Sequence, residues 1–221
     1  MKLAQENIMS TDSYSIGSKA YDFLIEPFLA RIKLLTVRIL LKNFNISHDV
    51  RILEVACGTG TLSHLLAKKG FNVLALDKSY SMIKHAQNKT DGSCIGRVTA
   101  IHGDAATMPF FSASFDAVIM QLGLHEMGNN IRMDCGREII RVAKKNAVFL
   151  FFDFAPTNKL SFSKFILTII EFIAGKDHYR NGRRFIKDGG ILSFLEKLNL
   201  EVIKTHRFFQ GNICLAVARN R

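Results

Sequence analysis

From about Val50 onward, short β-rich runs alternate along the chain with stretches in which apolar residues recur every three or four positions. The run RILEV at residues 51–55 predicts a buried strand, and residues 61–69 predict a helix that ends at Gly70. The run FNVLAL at 71–76 predicts the second strand. The same pattern predicts strands at 97–102, 115–120 and 147–152, and helices at 80–88, after the cap residue Ser79, and at 131–144.

Strands that alternate with helices predict right-handed crossovers and a parallel sheet covered on both faces. The end of the chain differs, because a predicted helix at 188–198 is followed by two successive strands, 201–207 and 212–218, with a turn between them. The predicted fold is therefore an α/β, Rossmann-like, doubly wound sheet of seven mostly parallel strands with a terminal antiparallel hairpin. Residues 1–45 and 157–187 fall outside the sheet pattern and are natural material for a lid.

Composition and charge narrow the class of protein. Of the 221 residues, 48% are hydrophobic and 22% charged, which is typical of a globular chain and not of a disordered one. The formal net charge is +11, and it is uneven, with +2 over residues 1–130 and +9 over residues 131–221. The C-terminal part is thus expected to meet an anionic partner, which could be phospholipid, nucleic acid or an acidic metabolite.

The four cysteines are widely separated, so no C-x-x-C motif and no metal site are predicted. A reduced, cytoplasmic setting fits this pattern best. The N-terminus lacks the apolar centre of a signal peptide, and the longest apolar runs, 147–152 and 165–170, fall well short of the roughly 20 residues that a membrane span needs. These patterns argue against an integral membrane protein and leave peripheral membrane contact open.

The loop after the first predicted strand carries the candidate chemistry. It reads EVACGTG over residues 54–60, with glycines where the chain turns from strand to helix. Glycine tolerates a positive φ and lets a ligand approach the backbone. Asp77 ends the second predicted strand and Asp104 follows the third, so both are expected at the edge where doubly wound sheets bind ligands.

Three kinds of site compete for this loop. A P-loop is rejected because no lysine follows Gly60. A nicotinamide or flavin dinucleotide site is one glycine short, since Ser63 stands at the last position of G-x-G-x-x-G. A site for S-adenosylmethionine is favoured by Glu54, because a carboxylate there would repel a pyrophosphate but attract an ammonium and a sulfonium.

Residues 50–154 resemble the class I S-adenosylmethionine-dependent methyltransferases, and most closely the branch of the ubiquinone/menaquinone-biosynthesis C-methyltransferases. The matching segments keep the family's order and spacing: ILEVACGTG (52–60), LALDKSYSMI (74–83), GDAATMPF (103–110), SFDAVI (114–119) and REIIRVAK (137–144). One position departs from the family's E/D-x-G-x-G-x-G motif, since Ala56 replaces its first glycine. We expect cofactor binding to survive this small change.

The resemblance implies S-adenosylmethionine as the cofactor and a role for individual residues. Asp77 would hold the ribose hydroxyls, Met82 would pack on the adenine, and Asp104 would accept from the adenine amino group. Gln121, after the fourth strand, would meet the methionine part or the reaction site. The residues expected at the cofactor are Glu54, Ala56, Gly58, Thr59, Gly60, Asp77, Lys78, Met82, Asp104, Ala105, Gln121 and Tyr14. For Met82 the alternative is ordinary core packing.

A general base is needed only if the acceptor must lose a proton. His125 follows the fourth strand, although it could equally be a locally bonded loop histidine. Tyr21, with Asp22, resembles a Tyr-Asp pair in the family's N-terminal segment. Tyr179, in the run KDHYRNGRR, is the third candidate, and its alternative is a solvated basic loop.

Residues 160–173, LSFSKFILTIIEFI, are apolar nearly all round a helix and precede a basic cluster over residues 176–187. This arrangement is typical of a peripheral element at an anionic membrane, and it also suits a lipid-like acceptor. The alternative is a cap over the pocket or a dimer interface beside a solvated loop.

The sequence thus predicts a single methyltransferase domain over 1–221, with a helical lid (1–45), a cofactor-binding core (46–156), a helical cap (157–187) and a last helix with the hairpin (188–221). Its acceptor is expected to be small and hydrophobic or lipid-like, for example a quinone precursor or a lipid amine. The alternatives are a nucleic-acid methyltransferase, disfavoured because no N-P-P-Y-type motif is present, and an NAD(P)-binding oxidoreductase. The chain is expected to be a monomer or a homodimer.

Overall fold

The computed structural model describes residues 18–44, 50–89, 94–157 and 176–221, with side chains from residue 29 in the first range and from residue 179 in the last. These residues form six helices and seven strands. In chain order they are α1 (Ser18–Asn43), β1 (Arg51–Val55), α2 (Thr61–Ala67), β2 (Asn72–Asp77), α3 (Tyr80–Asn88), β3 (Val98–His102), β4 (Phe115–Gln121), α4 (Asn129–Val142), β5 (Ala143–Phe154), α5 (Lys176–Lys187), α6 (Gly190–Lys197), β6 (Leu200–Phe208) and β7 (Ile213–Asn220).

The strands form one sheet in the order β3-β2-β1-β4-β5-β7-β6. The first five strands are parallel to one another, whereas β7 pairs antiparallel with both β5 and β6. This arrangement confirms the predicted fold, including the closing hairpin. Because parallel strands end at the same edge, the residues that follow β1 to β5 lie along one side of the sheet.

Burial on both faces explains the apolar strands at the centre of the sheet. Every residue from Ala147 to Phe154 of β5 is buried, including Asp153, and so are residues 117–120 of β4. Strand β5 begins at Ala143, four residues earlier than predicted, because the chain passes directly from α4 into the sheet. The predicted helix at 188–198 begins instead at Gly190, since Gly189, the residue before it, has a φ of 97°, which lies in the left-handed region.

The helix cap predicted at Ser79 is confirmed, because its side chain accepts a hydrogen bond from the backbone N–H of Met82 at the start of α3. Helix α2 ends at Ala67, two residues earlier than predicted, although Gly70 has the positive φ, 94°, expected of a glycine after a helix. The helix predicted within residues 1–45 is α1, and its residues Ile32, Val37 and Leu40 pack into the core.

Two predicted features fall outside the described residues. They are the first 17 residues, which include Tyr14, and the apolar segment 160–173. The end of the predicted cap is described, and it forms α5. None of the helices in the described ranges is both long and apolar enough to cross a membrane.

Candidate active site at the carboxyl ends of the strands

Asp77 organises the glycine loop. It stands at the end of β2, and its Oδ2 accepts a hydrogen bond from the backbone N–H of Gly58 at 2.8 Å. Its Oδ1 accepts from the backbone N–H of Ser79, also at 2.8 Å. Each carboxylate oxygen can accept a second hydrogen bond, so Asp77 has the capacity to bind a pair of hydroxyl groups. A Cβ at Gly58 would meet nothing within 4 Å, which leaves open space against the loop backbone.

Asp104 lies one strand further along the same edge. Its Oδ1 accepts from the backbone N–H of Ala106 at 2.9 Å, and its Oδ2 accepts from Nζ of Lys78 at 2.7 Å. The hydrogen bond from Lys78 is the main reason that the pKa of Asp104 lies below its ordinary value. Lys78, which is largely exposed, is therefore bound to the carboxylate that is expected to meet an adenine edge.

Glu54 is buried near the end of β1. Its Oε2 accepts a hydrogen bond from the hydroxyl of Ser63 on α2, and only 4% of the residue is exposed. Burial raises the pKa of Glu54 to about 7, and Asp77 acts in the same direction, whereas Ser63 and Lys33 lower it. A cation placed beside Glu54 would stabilise its carboxylate form.

Helix α1 contributes buried polar side chains to the same edge of the sheet. Lys33 and Thr36 lie one turn apart on α1, and both are buried. Nε2 of Gln121, at the end of β4, donates to the hydroxyl of Thr36 at 3.1 Å. Helix α1 thus interacts with two of the predicted cofactor residues. The charge of Lys33 acts on Glu54, and the hydroxyl of Thr36 accepts a hydrogen bond from Gln121.

The remaining predicted cofactor residues belong to the same edge. Met82 on α3 and Ala105 after β3 are buried, so they can pack against a flat ring. Nζ of Lys89 donates to the hydroxyls of Thr59 and Thr61, at 2.9 and 2.7 Å, and ties the end of α3 to the start of α2. Gly60 has a φ of 69°, and Ala56, in place of the family's glycine, has a φ of 54°. A positive φ in a residue with a Cβ stores local strain.

His125 lies in the loop after β4 and is 4% exposed. Its Nδ1 is 2.8 Å from Oδ1 of Asp153, and its ring lies 4.5 Å from that of Phe154. Asn181 of α5 donates to the carbonyl oxygen of Glu126 at 2.8 Å, so the cap reaches the same loop. Tyr179, half-buried, lies two residues earlier on α5.

The other predicted catalytic and cofactor tyrosines are not tested by this geometry. Tyr21 lies in the part of α1 whose side chains are outside the described set, and Tyr14 precedes the described residues. Their roles stay predictions.

Sequence reasoning missed Asp153 and Arg132. Asp153 is the only charged residue in the run AVFLFFDF, and a lone carboxylate in a buried strand is the signal that could have found it. Arg132 is 3% exposed, and its guanidinium lies 4.4 Å from the ring centre of Phe185. Nothing in the local sequence of α4 marks this arginine as buried.

The donor set fits S-adenosylmethionine. Three carboxylates lie at the carboxyl ends of the adjacent strands β3, β2 and β1: Asp104, Asp77 and Glu54. In that order, they are suitable acceptors for an adenine amino group, a ribose diol and an amino-acid ammonium. The open space beside Gly58 leaves room for the ligand. A pyrophosphate would instead meet the Glu54 carboxylate, which is unfavourable.

Comparison with known proteins agrees with this geometry. Residues 52–146 match the family described as "Methyltransferase domain". A demethylmenaquinone methyltransferase of Thermobifida fusca is 34% identical over 93 residues, which are 42% of this chain and 39% of that protein. A ubiquinone/menaquinone biosynthesis C-methyltransferase of Stutzerimonas stutzeri is 32% identical over 157 residues, or 68% of this chain and 59% of that protein. The chain therefore spans less than two thirds of the length of these curated relatives.

Solved structures show the same fold. A magnesium protoporphyrin IX methyltransferase from Synechocystis, solved with bound SAH, aligns with a TM-score of 0.61 at 18% identity. The alignment covers 100% of this chain and 90% of that one. Likeness at this identity concerns the fold alone.

The sheet order and the domain match together identify a methyltransferase domain with the class I fold. The chain is similar, over part of their length, to relatives named as demethylmenaquinone and ubiquinone/menaquinone-biosynthesis methyltransferases. The predicted family and its cofactor are thus confirmed, and the alternative of a dinucleotide-dependent oxidoreductase is set aside.

Proposed function

We propose that this chain transfers a methyl group from S-adenosylmethionine to a small, hydrophobic or lipid-like acceptor, with a quinone precursor as the leading class. The observation that carries the proposal is the row of carboxylates at the carboxyl ends of β1, β2 and β3, with Asp77 already bonded to the backbone of the glycine loop at Gly58. When bound, the cofactor supplies an electrophilic methyl group on sulfur.

Each residue of the row has one task in this proposal. Asp77 accepts from both ribose hydroxyls, and Asp104 accepts from the adenine amino group while Met82 and Ala105 enclose the ring. Glu54 binds the ammonium group. The other residues proposed to contact S-adenosylmethionine lie in the glycine loop after β1 or elsewhere in the chain: Ala56, Gly58, Thr59, Gly60, Lys78, Gln121 and Tyr14.

The acceptor is proposed to lie between the His125 loop and the cap. His125 is the candidate base, and Tyr21 and Tyr179 are further candidates. The relatives support a quinone precursor, because their names specify demethylmenaquinone and ubiquinone/menaquinone biosynthesis. A lipid amine remains the second acceptor class from sequence.

Helix α5 is proposed to bring the protein to an anionic membrane surface, where a lipid-like acceptor would be found. Arg180, Arg183, Arg184 and Lys187 recur at helical spacing and are all exposed, while Phe185 on another side of the helix is buried. A row of cations on one helix face is attracted to anionic lipid. The apolar run 160–173 precedes this helix in the sequence and supports the same proposal.

The experiment that tests the proposed reaction supplies isotopically labelled S-adenosylmethionine and a panel of probes: reduced 1,4-naphthoquinone, a lipid primary amine and a tRNA pool. Methyl transfer to the quinol alone, or to the quinol and the amine, is the expected result. Transfer confined to the tRNA pool would contradict the acceptor class while keeping the cofactor.

A further inference from the structure

His125 and Asp153 form a buried pair between the loop after β4 and the end of β5. Nδ1 of His125 lies 2.8 Å from Oδ1 of Asp153, and the two side chains are 4% and 1% exposed. Backbone N–H groups of Leu124 and His125 approach Oδ2, at 2.9 and 3.4 Å, and that of Phe154 donates to Oδ1 at 2.7 Å. Since both oxygens accept from N–H donors, Asp153 acts as a carboxylate acceptor, and Nδ1 carries the imidazole proton.

The loop that carries His125 is fixed from two further sides. Arg132 of α4 donates from Nε to the carbonyl oxygen of Leu124 at 2.8 Å and from Nη2 to that of Met127 at 2.6 Å. Asn181 of α5 donates to the carbonyl oxygen of Glu126. The backbone N–H groups of the loop thus point to one strand, and its carbonyl groups are bound by two helices, which leaves the imidazole little freedom to turn.

The charges around the pair are few among the described residues. Burial lowers the pKa of Arg132, while the nearby carboxylates of Asp153 and Asp188 raise it and Arg184 lowers it. The groups that face the pair are therefore Arg132 from α4, with Asp188 and Arg184 at the end of α5 behind it. The positive charge of Arg132 therefore lies near the negative charge of Asp153.

We infer that Asp153 is a positioning residue that holds His125 in the Nδ1–H tautomer, so that Nε2 takes a hydroxyl proton from the methyl acceptor. This inference rests on the proposed function. It also selects an acceptor class, because a phenol or hydroquinone must lose a proton to become a strong nucleophile, whereas a neutral amine already attacks through its own lone pair. The pair therefore favours a hydroquinone-type acceptor over a lipid amine.

The step balances as follows in atoms and electrons. The acceptor's O–H bond breaks and its proton moves to Nε2 of His125, which forms an imidazolium beside the Asp153 carboxylate. The electron pair left on the acceptor forms the new bond to the methyl carbon, and the electrons of the broken sulfur–carbon bond stay on sulfur. If the bond forms at a ring carbon, the ring proton returns to the oxygen, and in either case the imidazolium passes its proton to water.

The first test uses the wild-type protein without any acceptor. Correlation spectra of ¹⁵N-labelled histidine distinguish the two imidazole tautomers, and His125→Gln identifies the His125 signals. The Nδ1–H tautomer is expected at neutral pH, with and without S-adenosylmethionine. A His125 found as the Nε2–H tautomer would overturn the inference.

The second test compares Asp153→Asn, Asp153→Glu and Asp116→Asn. Asp116 is the control, because its carboxylate is likewise bonded to a backbone N–H, of Arg51, and to a side chain, Lys144, but it lies at the opposite end of the strands. With reduced 1,4-naphthoquinone as the probe, Asp153→Asn should lower kcat roughly 100-fold and move the acid limb of the pH–rate profile to lower pH. Its KM for S-adenosylmethionine should stay within about twofold, and Asp153→Glu should recover part of kcat.

The outcomes separate this inference from the proposed function. If S-adenosylmethionine binds and is used, but Asp153→Asn has the kcat and pH profile of Asp116→Asn, the positioning role is wrong and the proposed function stands. If wild-type protein neither binds nor uses the cofactor, the proposed function fails, and the tautomer is still measured. If Asp153→Asn does not fold, the tautomer of His125 measured in the wild-type protein tests the inference, and the Nε2–H tautomer overturns it.

Discussion

The side chain of Ala56 packs directly against Gly123 and leaves no room for a side chain at position 123. A Cβ at Gly123 would lie 2.9 Å from Cβ of Ala56 and 2.8 Å from Cε of Met120, closer than such atoms pack. The loops after β1 and β4 therefore touch through these two residues, and the alanine that replaces the family's glycine is accommodated by a glycine opposite.

Gly123→Ala is therefore expected to destabilise the fold by about 1–3 kcal/mol through overpacking. Ala56→Gly should have a small effect alone, since it relieves the positive φ but increases the entropy of the unfolded chain. In the double variant, Ala56→Gly should recover part of the Gly123→Ala loss. Unfolding by denaturant measures all four proteins, and strictly additive effects would show that the two loops are not coupled.

Asp77→Ala should weaken S-adenosylmethionine binding by roughly 100-fold or more, because two hydrogen bonds to a charged acceptor are lost. The change also removes the acceptor for the backbone N–H groups of Gly58 and Ser79, so the glycine loop loses its anchor. Calorimetry gives the affinity.

Asp116→Ala is the control for this change, since Asp116 accepts from a backbone N–H and a lysine remote from the site. It should lower stability without altering cofactor affinity. Equal affinities for Asp77→Ala and wild type would remove Asp77 from the ribose site.

Glu54 should make the free energy of unfolding fall as the pH rises from about 4.5 to about 7. Its pKa in the folded state is raised to about 7 by burial, from the model-compound value of 4.5, so the folded protein holds this proton more tightly than the unfolded chain does. The stabilising contribution of Glu54 is fully present below about pH 4.5 and is lost as the pH rises through about 7. The loss is on the order of 3 kcal/mol.

Glu54→Gln should remove this dependence, because the amide does not titrate and can still accept from Ser63. The difference between the two unfolding curves, measured by denaturant from pH 4 to 8, isolates the Glu54 contribution from that of other groups. A constant difference across this range would mean that Glu54 does not titrate abnormally.

Helix α5 is expected to bind vesicles that contain anionic lipid. Each cation near such a surface contributes about 1 kcal/mol, so Arg183→Gln with Arg184→Gln should weaken binding on the order of 30-fold at low salt. Lys69→Gln with Lys145→Gln removes two exposed cations from other parts of the molecule and should change binding much less. Co-sedimentation at low and high salt measures this, and absence of binding at low salt would refute membrane contact through α5.

The order of elements and the cofactor edge could be predicted because both follow from local patterns. The period of apolar residues predicts the strands, and Gly58 and Asp77 stand at fixed places in a strand–turn–helix unit. The His125–Asp153 pair joins residues 28 positions apart, and the Gln121–Thr36 bond joins residues 85 positions apart. Such partners depend on which strands and helices are neighbours in space, and no pattern along a single chain specifies that.

Calorimetric titration of the wild-type protein tests the central claim most directly. S-adenosylmethionine should bind at one site with an affinity in the micromolar range, and NADH should give no signal at the same concentrations. Binding of NADH together with no detectable binding of S-adenosylmethionine would contradict the account.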